Sequence, residues 1–170
     1  MNSLNISFSY FYISNLFFVS WFDILFGIRE GFLDNTAAIE HAYNIIEKVE
    51  KPSQKVLDMA FLNKNESIYP LIEELVNEEK SEDESIVQEK YLFAVLNWVY
   101  ENQELFSNPL EAVECIYADF DYPEIIKGFV RYASGSTEPD LGSIELNLER
   151  LFKKWNNYLK NEKIKWESNT

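Results

Sequence analysis

Two aspartates set two residues apart give this chain its sharpest chemical pattern, Ile116-Tyr117-Ala118-Asp119-Phe120-Asp121-Tyr122-Pro123-Glu124. Carboxylates at i and i+2 after apolar residues can serve as the nucleophile and acid of a phosphotransfer enzyme, or open a calcium loop. A calcium loop needs a third oxygen ligand at its fifth position and glycine at its sixth. Pro123 and Glu124 stand there instead. Phosphotransfer needs a strand ending at Ala118, within alternating strands and helices, and the chain has no Gly-rich phosphate loop. A plainer role is capping. Asp119 and Asp121 precede a helix opened by Tyr122-Pro123, with Glu124 beside the positive end of its dipole. The alternative is a partner-facing patch in which Phe120 and Tyr122 supply aromatic anchors between carboxylates, the build of a hot spot for a basic partner.

The remaining candidates for chemistry are isolated. His41 is the only histidine. It has no partner at metal-ligand spacing, and is expected at the solvated boundary of a helix whose inner stripe is Ile39, Ala42, Tyr43 and Ile46. Cys115 is the only cysteine, so an intramolecular disulfide and a cysteine zinc cluster are both excluded. It is expected in the core. The pairs Glu73-Glu74 and Glu78-Glu79 lack the Glu-x-x-His spacing of carboxylate di-metal bundles, because Ala38 stands three residues before His41. No catalytic, cofactor-binding or metal residue is assigned, and the chain is expected to be a non-enzyme without a cofactor.

Helices must position these residues. Ser20 is placed to cap a short helix over residues 21–30 that stops at Gly31. Asp34, Asn35 and Thr36 offer caps for the next helix, which Pro52 ends; Ser53 caps a short one, and Pro70 sits in the first turn of another. Residues 85–102 form the most hydrophobic helix, apolar on more than one side and therefore expected at the centre. Asn108-Pro109 opens a helix facing inward with Leu110, Val113, Ile116 and Tyr117. Tyr122-Pro123 opens the next, with Ile125, Ile126, Phe129, Val130 and Tyr132. An exposed loop spans residues 134–143, and a basic helix spans 144–165 with Arg150, Lys153, Lys154, Lys160, Lys163 and Lys165. Its apolar positions are Leu148, Leu151, Phe152, Trp155, Tyr158 and Leu159. The expected fold is all-α, one domain over residues 1–170, an antiparallel array of about seven to eight helices.

Residues 1–19 form a separate aromatic segment, and the first 22 residues carry no charged side chain. Serines and asparagines interrupt the apolar run, no basic n-region is present, and so neither a signal peptide nor a membrane span is expected. The alternation of Leu4, Ile6, Phe8, Tyr10 and Tyr12 with polar residues leaves a short N-terminal strand as an alternative to a buried core segment.

Charge supplies the functional bias. The formal net charge is -14, and residues 91–126 contain Glu101, Glu104, Glu111, Glu114, Asp119, Asp121 and Glu124 with no Lys or Arg. Such a field draws basic proteins and repels nucleic acid and anionic membranes. Aromatic residues at 16% indicate a substantial core rather than disorder. A basic protein partner is therefore expected at Glu111, Glu114, Asp119, Phe120, Asp121, Tyr122 and Glu124. A structural adaptor docking through the aromatic N-terminus is the second reading, and an enzyme using Asp119 and Asp121 the third.

Several segments together carry a resemblance: Ser20-Trp21-Phe22-Asp23-Ile24-Leu25-Phe26-Gly27, Ala38-Ile39-Glu40-His41-Ala42, the stretch from Ile116 to Pro123, Phe129-Val130-Arg131-Tyr132 and Glu138-Pro139-Asp140-Leu141-Gly142-Ser143. The set resembles a bacterial domain-of-unknown-function family of small acidic proteins, from about Phe8 to Leu159. The resemblance implies a cytoplasmic protein without assigned catalytic residues, similar in size and charge to immunity proteins that neutralise basic toxins such as nucleases. A monomer or weak dimer is expected.

Overall fold

The computed structural model describes residues 1–63, 65–80, 83–133 and 138–167. Every regular element among them is helical: α1 (Tyr10–Ser14), α2 (Trp21–Arg29), α3 (Thr36–Lys48), α4 (Gln54–Ala60), α5 (Tyr69–Glu78), α6 (Glu84–Glu101), α7 (Pro109–Asp119) and α8 (Ile144–Glu167), with 3-10 turns at Gln103–Leu105 and Glu124–Phe129. The all-α expectation holds. The contacts group into two compact units, one of residues 5–90 and one of residues 1–4 with the chain from Tyr91 onward. Helix α6 contributes to both.

In the unit of residues 5–90, α3 packs on α4, α2 on α5, α4 on α5, and α1 and α2 on α3. The N-terminal strand is not formed. Residues 5–10 do alternate between exposed and buried, with Ile6, Phe8 and Tyr10 inward, but no strand ladder is present among the described residues. Ser9 instead caps α1 by accepting a hydrogen bond from the Tyr12 N–H. A period of two shows an extended chain lying on a core; only a partner makes it a strand. Ile6, Phe8, Tyr10, Ile13, Phe17 and Val19 all belong to the core.

Helix α2 begins as expected at Ser20, with a full capping box: the Ser20 hydroxyl accepts from the Asp23 N–H while the Asp23 carboxylate takes the Ser20 N–H. It ends before Gly31, which occupies the left-handed region at φ 78°. The stripe of α3 is rotated from the one expected. Ala37, Ala38, His41 and Ala42 are buried, while Tyr43 is exposed. Three small residues let α3 approach its neighbours closely, and that leaves the bulkier Tyr43 outside.

In the second unit, residues 91–101 of α6 are buried on several sides through Tyr91, Leu92, Phe93, Ala94, Val95, Leu96 and Val99. Helix α8 packs on the 3-10 turn at Glu124–Phe129. Trp155 is fully buried, stacked with Phe129 (6.3 Å) and Phe152 (5.9 Å) and met edge-on by Tyr100 (5.0 Å). Full burial of a ring such as that of Phe129 contributes about 1.5–3 kcal/mol. Leu148, Leu151 and Phe152 are only half-buried, because the inner stripe of α8 shifts towards Trp155, Tyr158, Leu159 and Trp166. Of the expected loop, residues 134–137 lie outside the described residues. Residues 138–142 are exposed, and Arg150 and Lys154 of α8 both pair with Glu138.

Candidate partner-binding surface

Helix α7 starts where Asn108 accepts a hydrogen bond from the Leu110 N–H and Pro109 occupies the first turn. Leu110, Ala112, Val113 and Ile116 bury one face. The helix closes with the Tyr122 N–H donating to the Tyr117 carbonyl (2.8 Å) and the Asp121 N–H to the Ala118 carbonyl (3.2 Å). Both Asp121 (φ 59°) and Tyr122 (φ 58°) are left-handed. Neither is glycine, so each residue costs on the order of 1–3 kcal/mol that the surrounding packing must offset. Pro123 then leads into the 3-10 turn, which buries Ile126 and Phe129.

This corner corrects several expectations. The chain after Pro123 is a 3-10 turn, and its first residues receive no side-chain cap, so Asp119 and Asp121 do not cap it. Asp119 is the last residue of α7, not the end of a strand, and its Oδ2 accepts from the Ser3 N–H (2.7 Å) and the Ser3 hydroxyl (2.8 Å). Ile125 (58%) is exposed rather than inward because a 3-10 turn spaces its buried residues, Ile126 and Phe129, by three and not by the helical stripe, and Tyr132 (82%), beyond the end of that turn, is exposed as well. Cys115 is exposed on α7, on the side away from Val113 and Ile116.

The candidate residues do not act as one set. Arg131 gathers two of them: its Nε and an Nη donate to the Glu114 carboxylate (2.6 and 3.3 Å), and Glu111 lies 3.5 Å from it. The Glu114 hydrogen bonds push the Arg131 pKa further up. Phe120 is half-buried. Glu124 pairs with Lys127 at 3.0 Å while its side chain stays largely in water. Asp121 and Tyr122 (60% exposed) remain facing solvent, and the Tyr122 ring is met edge-on by Tyr117 at 5.3 Å. The surface that can meet a partner is thus Asp121, Tyr122, Glu124 and Ile125. Sequence pattern missed Ile125, Arg131 and Ser3; the lone Arg131 seventeen residues after Glu114 offers no local signal of their pairing.

A sequence profile for a bacterial family described as "Uncharacterized protein conserved in bacteria (DUF2247)" matches residues 10–163. The chain belongs to this family. No curated protein and no solved structure matches it significantly. The matched span of this DUF2247 member includes the whole corner from α7 to Tyr132, though Ser3 lies before it.

A second polar cluster lies in the unit of residues 5–90, and it is buried. Asp23 Oδ2 accepts from the Ser20 N–H (2.8 Å), the Ser20 hydroxyl (3.0 Å) and the Lys90 ammonium (2.8 Å), with Asp23 and Lys90 almost fully enclosed. The Glu79 carboxylate accepts from the Trp21 and Phe22 N–H groups (3.0 and 2.8 Å), the favoured place for an anion at a helix N-terminus. His41 is buried, not solvated: Tyr10 Oη lies 3.0 Å from its Nδ1, and the Trp21 ring meets it edge-on at 4.5 Å. Burial, helped by Lys48, lowers its pKa to about 4, and burial next to Glu40 raises Tyr10 to about 12. Both rings are neutral at pH 7. Among the described residues no group of His, Cys, Asp and Glu is arranged to hold a metal ion.

Proposed function

We propose that this DUF2247 member is an immunity-type binding protein that neutralises a basic toxin, such as a nuclease, by covering its surface in the cytoplasm. The observation that carries the reading is the corner after α7, where Tyr122 and Ile125 stand exposed, each next in sequence to an exposed carboxylate, Asp121 and Glu124. Apolar contact inside an acidic rim supplies affinity at the centre, while the net charge of -14 speeds encounter with a cationic partner. Glu111, Glu114 and Asp119 serve this surface from behind, holding its two ends through Arg131 and Ser3.

The test is capture on the immobilised chain, with an Asp121→Lys/Tyr122→Ala variant alongside. A basic protein retained by the wild type, released by salt and lost from the variant is the expected result. Its toxicity on expression should then be relieved by co-expressing the wild-type chain. Retention that ignores both salt and the variant would sink the reading.

A structural or adaptor role is favoured by a different observation. Phe11 (74%) and Phe18 (63%) are exposed within the stretch that carries no charged side chain. Among the described residues no helix is long and apolar enough to cross a membrane. Phe11→Ser/Phe18→Ser would abolish docking in that case and leave toxin neutralisation untouched in the other.

A further inference from the structure

We infer that the outward face of α8 is a dimer interface, on which a second copy of this chain lies antiparallel about a two-fold axis near Trp155. Leu146, Glu149, Lys153, Asn157, Lys160 and Ile164 recur every three or four residues and so form one line along the helix. All six are exposed, opposite the buried side of Trp155, Tyr158, Leu159, Glu162 and Trp166. The line is apolar at its two ends, Leu146 (48%) and Ile164 (65%), and polar or charged between them. Among the described residues Glu149, Lys153 and Lys160 have no ion pair within the chain, whereas Lys163 and Lys165, off this line, pair with Glu167 and Glu162.

The order of these residues selects the occupant. Turned end for end about residue 155, the line fits itself: Leu146 meets Ile164 of the second copy, and Lys153 meets its Asn157. Position 149 then falls opposite position 161, one residue from Lys160, so each Glu149 reaches the Lys160 ammonium of the other copy. A two-fold contact requires this reciprocity, with residue i on j and j on i. Attraction to the helix dipole accounts for Glu145 in the first turn and Lys165 in the last, but not for Glu149 and Lys160, which stand further in. Net charge favours the same face. The chain carries -14, yet α8 holds six Lys and Arg against four Glu. Two acidic copies therefore approach here against far less repulsion than across residues 91–126.

The experiment is sedimentation equilibrium of the full-length chain, with reductant present so that the exposed Cys115 cannot link two copies. A monomer–dimer equilibrium that shifts with concentration is expected. Ile164→Ser, which removes an apolar contact at both ends of the interface, should weaken the dimer about tenfold. Glu149→Lys and Lys160→Glu should each weaken it, and the double variant Glu149→Lys/Lys160→Glu, whose net charge is unchanged, should restore it. Within one copy these two positions lie about 16 Å apart along the helix axis, too far to pair, so recovery can come only from contact between copies. Circular dichroism checks that each variant is folded. A chain that stays monomeric at every concentration overturns the inference. So does a dimer indifferent to Ile164→Ser, or one that the double charge exchange fails to restore. None of these outcomes alters the reading of the corner after α7, which a basic protein tests separately.

Discussion

Carboxylates cluster in two regions of this molecule and do opposite things there. At the N-terminus of α2, Asp23 and Glu79 face inward and all their work is internal: between them they take three backbone N–H groups, a hydroxyl and the buried Lys90 ammonium. At the corner after α7 the carboxylates face water, and each is either loosely paired, as Glu124 is with Lys127, or left to solvent, as Asp121 is. The same side chain holds a fold in one place and offers a surface in the other. Burial decides which. A carboxylate removed from water depends on the charged and hydrogen-bonding groups that reach it inside the fold, as Asp23 Oδ2 does on Ser20 and Lys90, and is closed to a partner.

The contrast is broken most severely from the α2 side. Lys90→Met keeps the aliphatic stem beside Phe17 but strands the Asp23 charge, and should cost about 3–5 kcal/mol in a denaturant titration. A loss below about 1 kcal/mol would mean that the buried network is not what holds α2. Acid tests the same region through His41. Its folded pKa of about 4 lies below the ordinary 6.5, so the neutral form is favoured by folding. The stability it contributes is intact above pH 6.5 and is lost as pH falls towards 4, up to about 3 kcal/mol. His41→Phe should flatten that part of the stability-pH curve; an unchanged slope would place the titration elsewhere.

Smaller effects are expected at the corner. Ser3→Ala removes the hydroxyl donor to Asp119 but keeps the backbone one, and should cost no more than about 1 kcal/mol. Hydrogen exchange of residues 1–4 should rise with it. Asp121→Gly relieves a left-handed residue and should gain up to about 1 kcal/mol in thermal unfolding, while weakening association with a cationic peptide. A stabilised variant that binds worse is the signature of an exposed site held under strain. One that binds equally well would remove Asp121 from the surface.

How far these regions were legible depends on how local their determinants are. Ser20, Ser53, Asn108-Pro109, Pro70 and Gly31 all mark helix ends where the structure has them, because capping and backbone conformation act over three or four residues. Burial of individual side chains was read less well. His41, Tyr43, Cys115 and Ile125 were each placed on the wrong side, since two residues' rotation of a helical stripe, or a 3-10 turn in place of a helix, leaves the local pattern almost unchanged. The acidic band was visible from composition. Which of its members are occupied was not, because Ser3 and Arg131 reach Asp119 and Glu114 from 116 and 17 residues away.

By itself, then, the sequence determined an all-helical chain, the positions of most helix ends and a strongly negative charge, all properties set by near neighbours or by simple counting. Tertiary structure decided that Lys90 is buried on Asp23, that His41 lies among rings, and that Asp121 and Tyr122 turn outward after α7. Those outcomes depend on which distant groups arrive to satisfy a charge or fill a space, and the free energy of burial is settled only when the packing partners are in place.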